Sequence, residues 1–339
     1  MPASPGPATL LPRRITVLSG GVGGARFLQG LLRLVERTGS DSEVTVLANT
    51  GDDIWVHGLK VCPDLDTVMY TLGGGIDAER GWGRTAETWN AKDELAAYGV
   101  EPTWFGLGDK DIATHLVRTQ MLDAGYPLSA VTEALCRRWQ PGVRLLPMTD
   151  DRTETHVVIT DPTDGEQRAV HFQEYWIRHR AAVPASEVVV IGLPESSPGP
   201  GVLEAIADAD LVVLPPSNPI VSIGPILDVP GIRDALRATA APVVGVSGII
   251  GGDHVHGMAR QVLGIRGVQV SAAGVAEHYG ARSAAGVLDG WLVDTVDAAL
   301  VDRIEGAGIA CRAVPLLMAD HDVTADMAAE AVSLVGVRA

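Results

Sequence analysis

The chain is poor in aromatic residues, in cysteine and in positive charge. Three cysteines, Cys62, Cys136 and Cys311, are scattered through 339 residues. They offer neither a zinc spacing nor a disulfide framework, which fits a reducing cytoplasm. Lysine and arginine number 26 against 42 aspartates and glutamates, a formal net charge of −16. That balance argues against nucleic-acid binding through a basic face. No apolar run reaches the length of a membrane span, so no membrane partner is expected. The opening MPASPGPATLLPRR has no signal-peptide h-region, and residues 1–12 are expected to be a disordered tail. Without internal repeats or a flexible linker, 13–339 is expected to be a single domain. Its 46% hydrophobic content is enough for a full core.

What is present centres on residues 15–32, ITVLSGGVGGARFLQGLL. Residues 15–18 read as a buried parallel strand. Gly20, Gly21, Gly23 and Gly24 allow a tight turn with few side chains in the way of a ligand. Phe27, Leu28, Leu31, Leu32 and Val35 then repeat at helical spacing. Strand, glycine turn and helix together present N–H groups to a phosphate at the positive end of a helix dipole. The dinucleotide fingerprint is not met, because Arg26 stands where its last glycine belongs. No Gly-Lys-Ser/Thr follows to make a P-loop. A phosphate ligand on so acidic a chain needs local help from amides, arginines or a divalent cation.

The second strand, 44–48, ends in Asn49-Thr50-Gly51-Asp52-Asp53, where ligands sit in doubly wound sheets. Asp64 and Asp66 follow and read either as helix-start residues or, with Asp52 and Asp53, as carboxylates bridged by Mg²⁺ to phosphate oxygens. Residues 73–95 gather Trp82 and Trp89, with Trp104 just beyond. These rings suit a flat heterocycle or plain core. Arg84, Thr88 and Lys92 share the segment and suit polar edges or phosphates. Asp109 or Asp111 caps a helix that contains His115. Shorter strands from about 145 to 185 form an excursion, in which 171–180 (HFQEYWIRHR) is a lid or merely an edge. The sheet resumes at 187–191 and continues at 211–214. There Pro215-Pro216-Ser217-Asn218-Pro219 stiffens a hydroxyl and an amide at the sheet edge. Strands at 242–246, 290–294 and 310–313 and a closing helix at 323–335 complete an α/β, Rossmann-like, doubly wound and mainly parallel sheet with an inserted smaller α/β lid region.

SGGVGGAR, NTGDDIWVHGLKVCPDLDTVMY, GLGDKDIATHLVR, LPMTDD, HFQEYWI and PPSNPIVSIGPIL, in this order between residues 15 and 318, resemble the 2-phospho-L-lactate transferase family. The resemblance is to its actinobacterial members, described as phosphoenolpyruvate transferases. It implies transfer of a phospho-acid from a guanosine-diphosphate-linked donor to the ribityl hydroxyl of a deazaflavin, releasing GMP, with Mg²⁺, in coenzyme F-420 biosynthesis. It implies nucleotide binding by Gly20, Gly21, Gly23, Gly24, Ser217 and Asn218. The family's glycine loop varies after its second glycine, so Gly20 and Gly21 come first. Asp53 would meet the deazaflavin, with Lys92 and Thr88 as companions. Asp52, Asp64 and Asp66 are the metal candidates. Asp53 or Asp64 is the candidate base for the alcohol proton. A cytoplasmic homodimer is also implied. Enolpyruvate and lactate are not distinguished. Two other readings stay open: a non-catalytic nucleotide-sugar-binding regulator of similar fold, and a nicotinamide dehydrogenase.

Overall fold

Short β-branched runs form the centre of the molecule. In the computed structural model, which describes residues 11–255 and 257–336, seven strands make one parallel sheet. They are β1 (Arg14–Ser19), β2 (Glu43–Ala48), β3 (Arg144–Pro147), β4 (Leu211–Leu214), β5 (Val243–Val246), β6 (Gly290–Val293) and β7 (Ala310–Ala313). In space the order is β7-β6-β5-β4-β1-β2-β3. The chain winds outward from β1 in one direction and from β4 in the other. The crevice at the carboxyl ends of β1 and β4 is therefore the switch point where such sheets bind ligands.

Alternation along the strands divides the core between the two faces of the sheet. Ile15 and Val17 of β1, Val44 and Val46 of β2 and Val213 of β4 pack on one face with α1 (Gly21–Thr38), α2 (Pro63–Leu72) and the helix His321–Leu334. Leu18, Leu47, Val212 and Leu214 pack on the other. Val157, Ile159, Val170 and Val188 of the excursion join this second cluster, so the excursion shares the main core.

The boundaries of the excursion differ from those expected. Arg144–Pro147 pairs with β2 and forms an edge of the central sheet, so the excursion begins after it. The run at 187–191 does not resume the central sheet. It belongs to Ala185–Ile191, which pairs antiparallel with Glu154–Thr160, itself paired with Gln167–His171. A valine-rich run does not specify which of two sheets on a common core it joins. Of the expected tail, residues 1–10 lie outside the described residues. Leu11 packs against the core, and the Pro12 carbonyl accepts a bond from Ser42. No described helix is long and apolar enough to cross a membrane.

Gly30 lets α1 lie close to the final helix: a Cβ there would come within 2.3 Å of the Thr324 methyl and 2.7 Å of its main chain. Gly30→Ala should therefore destabilise the protein by about 1–3 kcal/mol through overpacking, despite alanine's better helix propensity. Urea unfolding checks this; an unchanged or raised midpoint would contradict the packing described.

Candidate active site

The site is built where β1 hands over to α1. Gly20 is the N-cap and Gly21 has a φ of 65°, a left-handed conformation that suits glycine. Gly20 has no side chain with which to cap this end of α1, and its first turn contains no acidic residue. Its N–H groups and the dipole of an 18-residue helix favour an anion there.

Three of the four glycines also have a packing role that the sequence does not announce. A Cβ on Gly20 would lie 2.5 Å from Asp64 Oδ2 and 2.7 Å from Ser222 Cβ. On Gly23 it would meet the Pro216 carbonyl at 2.3 Å, and on Gly24 the Ser19 hydroxyl at 2.2 Å and that of Ser217 at 2.5 Å. The space freed at Gly20, Gly23 and Gly24 is thus filled by α2 and by the turn after β4. What remains for a phosphate is the amide end of α1.

Asp64 lies in the first turn of α2, with Cys62 as N-cap and Pro63 as the first helical residue, so it is not itself the cap. Its Oδ2 accepts from Asn49 Nδ2 at 2.9 Å, and the Gly21 amide faces the same carboxylate. Asn49 also donates to the Val221 carbonyl, and its Oδ1 receives the Gly51 amide. It thereby ties β2, α2 and the segment after β4 together. Asp52, also buried, leaves Oδ1 without a hydrogen-bond partner. Burial pushes the Asp64 pKa up to about 7. Burial and the neighbouring Asp64 charge push Asp52 well above the carboxylate range. Two such groups resist ionising together.

Asp53 completes the turn. Its Oδ2 lies 3.2 Å from Lys60 Nζ and accepts from Cys62 Sγ at 3.0 Å, while Oδ1 is buried without a partner. Burial is the main cause of its raised pKa, opposed by Lys60. The excursion contributes His171, whose Nε2 lies 3.2 Å from the Asp53 carbonyl. The Gln173 amide donates to its Nδ1, so the imidazole is neutral with its proton on Nε2. Burial lowers its pKa to about 4.

Asp66 leaves this group. Arg118, fully buried on α3 (Asp109–Asp123), grips both carboxylate oxygens of Asp66 and so takes up the lone pairs a metal would need. Among the described residues no group of three or more acidic, histidine or cysteine side chains is placed to hold one ion. Asp52 and Asp64 are the carboxylates available for a cation. Ser217, expected to bind the nucleotide, meets the glycine loop and its hydroxyl is used there: it accepts from the Gly20 amide and donates to the Gly20 carbonyl. Asn218 turns its Oδ1 to the amides of Ile220 and Val221. Neither Thr88 nor Lys92 bonds to Asp53. Thr88 donates to Asp109, which also receives the Ala91 amide and so caps the helix Asn90–Ala97 from a distance. Lys92 Nζ lies over the Trp89 ring at 5.6 Å and lines a cavity of about 50 Å³ with His57 and Phe105. Trp82 and Trp89 flank the Arg80 guanidinium, 5.3 Å from each ring. Gly81 next to it approaches Val22 of α1.

The arrangement can thus hold an anion at α1, a cation between Asp52 and Asp64, and a hydrogen-bond donor at the free oxygen of Asp53. Sequence reasoning missed Asn49, Lys60 and the role of His171. Asn49 stood at the carboxyl end of a strand, the one signal that marks it. Lys60 and His171 needed the three-dimensional pairing.

A family profile described as 2-phospho-L-lactate transferase CofD matches residues 15–331. The chain is 64% identical over 321 residues to the phosphoenolpyruvate transferase of Streptomyces griseus, covering 95% of this chain and 98% of that one. It is 61% identical to that of Nocardia farcinica (96% and 96%) and 60% to that of Mycolicibacterium smegmatis (96% and 99%). Among solved structures, protein BH3568 from Bacillus halodurans superposes with a TM-score of 0.61 at 17% identity, over 95% of this chain and 99% of that one. This likeness is one of fold.

The raised carboxylates set a pH dependence. The fold favours protonated Asp64, so its contribution to stability is full below about pH 4 and is lost as pH rises through its folded pKa, about 7. With a chelator present, the melting temperature should fall between about pH 5 and about pH 8, and Asp64→Asn should flatten that fall. An Asp64→Asn profile parallel to the wild type would contradict the assignment.

Proposed function

The chain belongs to the 2-phospho-L-lactate transferase CofD family, and from that membership we propose that it moves a phosphoenolpyruvyl, or 2-phospho-L-lactyl, group from a guanosine-diphosphate-linked donor to the ribityl hydroxyl of 7,8-didemethyl-8-hydroxy-5-deazariboflavin, with release of GMP, in coenzyme F-420 biosynthesis. Phospho-acid transfer is the activity of the family, and phosphoenolpyruvate transferase is the name of the relatives that are 61% and 64% identical. A cytoplasmic homodimer belongs to the same reading. The observation that carries it is the pairing of two buried carboxylates, Asp52 and Asp64, with the amino end of α1 at the switch point.

The residues fit a magnesium ion. Asp52 and Asp64 are hard oxygen ligands, Asp52 Oδ1 is buried without a partner, and the pair is hard to ionise without a positive neighbour. Magnesium is commonly held by one or two carboxylates, with water and phosphate filling its other positions. Bound there, it would supply charge neutralisation to the diphosphate.

The chain's own groups account for the rest of the reaction. The N–H groups at the start of α1 bind and orient the diphosphate. The incoming hydroxyl donates to Asp53 Oδ1 and loses its proton there as the new oxygen–phosphorus bond forms. The bond from the bridging oxygen to the phosphorus that carries the acid breaks, and that oxygen leaves with the electron pair as part of GMP. Asn49 fixes Asp64, and His171 fixes the main chain at Asp53, so little has to move during the step.

Asp53→Asn should lower kcat about 10²- to 10³-fold with an unchanged circular-dichroism melt. Mass spectrometry of the product made from the deazaflavin and each guanylated acid is the assay. Near-wild-type turnover by Asp53→Asn would remove Asp53 from the mechanism, and no saturable deazaflavin binding by the wild type would remove the function. A millimolar divalent cation should raise the melting temperature more at about pH 8 than at about pH 6, because Asp64, whose pKa is pushed up to about 7, is a charged ligand only above that value. Equal shifts at both pH values, or the full shift retained in Asp52→Asn, would count against the site.

A further inference from the structure

Asp53 is useful as a proton acceptor only if one of its two oxygens is held toward the incoming hydroxyl, because a carboxylate turns about its Cβ–Cγ bond. The structure contains a device that restrains this rotation. Lys60 is buried, its side chain 9% exposed, and its Nζ sits 3.2 Å from Asp53 Oδ2. Cys62 Sγ donates to the same oxygen at 3.0 Å. With both contacts on Oδ2, Oδ1 alone is left without a partner. The lysine is itself anchored: its amide donates to Thr119 Oγ1 at 2.9 Å and its carbonyl accepts from Arg118 Nη1 at 3.3 Å. Arg118 in turn grips Asp66 on α2. Residues 60, 62, 64 and 66 therefore alternate in task. The first two hold Asp53, Asp64 reaches the glycine loop, and Asp66 locks the helix to α3.

We propose that Lys60 is a positioning residue of the transfer reaction, holding Oδ2 of Asp53 so that Oδ1 alone faces the acceptor hydroxyl. This rests on the reading of Asp53 given above. Lys60 contributes no atom to the bond made or broken: the proton passes from the hydroxyl to Oδ1, and the ammonium stays on Oδ2 throughout. Its effect is therefore on the chemical step. Misplacing a reacting group by about 1 Å costs on the order of 10²-fold in rate, while the donor, held at α1, should not sense the change.

The test compares Lys60→Met, Lys60→Arg, Asp53→Asn and the double variant Lys60→Met/Asp53→Asn. Lys60→Met should lower kcat about 10- to 100-fold with the KM for the guanylated donor within about 2-fold, and Lys60→Arg, which keeps a cationic donor, should recover most of the loss. In the Asp53→Asn background, Lys60→Met should cost less than about 3-fold more, since the group it positions is already gone. If the unpaired Asp53 charge stops Lys60→Met from folding, Lys60→Gln, which retains one N–H donor, replaces it under the same criteria. A kcat within about 3-fold of wild type, or a loss that multiplies in full on Asp53→Asn, overturns the proposal. An inactive Asp53→Asn beside a fully active Lys60→Met sinks this inference alone. Full turnover by Asp53→Asn sinks it together with the role of Asp53.

Discussion

Two carboxylates out of reach of water, beside one another and beside a helix amino terminus, are the constraint on which the rest of the site depends. Asp52 and Asp64 come from different elements, the turn after β2 and the first turn of α2. Burial alone disfavours their charge, and the neighbouring charge adds to the cost for Asp52. Such a pair is tolerable as one neutral and one charged group, or as two charges with a cation between them. What relieves it locally is the Asn49 amide, the Gly21 amide and the dipole of α1. The same relief is what an anionic ligand would draw on, so the carboxylates and a diphosphate compete for one positive helix end unless a cation joins them.

That competition gives the glycine loop a different meaning from the one its composition suggests. Gly20 has no side chain because Asp64 and Ser222 stand there, and Gly24 has none because Ser19 and Ser217 do. Close approach of protein to protein, not of ligand to bare backbone, explains these absences. The turn after β4 is stitched to the loop by the Ser217 hydroxyl, whose bonds to Gly20 hold both sides of the switch point in register. A hydroxyl bonded in both directions to one residue has little left for a nucleobase. The contribution of Ser217 is to keep the amino end of α1 in place.

The fold was legible in the sequence to the extent that burial on both faces leaves a simple mark. β1, β2, β4, β5 and β6 contain short apolar runs, and each was found to within a residue or two, as was the edge strand β7 despite its Arg312. The run at 187–191 was assigned to the wrong sheet because its valines pack on the same core cluster as the central strands, and composition carries no record of a partner strand. In the folded chain Asp52, Asp53 and Asp64 lie together, as their nearness in sequence suggests, whereas Asp66 is drawn away by Arg118, 52 residues on. A carboxylate at a helix start looks the same in sequence whether it faces a ligand or a buried guanidinium. The pattern that separates them, a cation on α3, exists only after folding.

The same argument explains the tryptophans. A flat aromatic ligand and a guanidinium make similar demands on an indole ring, and here Trp82 and Trp89 take Arg80 between them while Trp139 carries Arg84 and Arg138. Arginine so placed is stiffened and partly desolvated, which strengthens its interaction with any anion that reaches it. In a chain with a net charge of −16, scattered surface lysines would do little against the long-range repulsion of a polyanionic substrate. Positive groups fixed in orientation do more, because their field is less averaged over rotamers. The approach of Gly81 to Val22 brings this arginine-bearing loop over the first turn of α1. The Arg80 guanidinium also pairs with Asp77 at 3.0 Å, so the two rings and this carboxylate together fix its orientation.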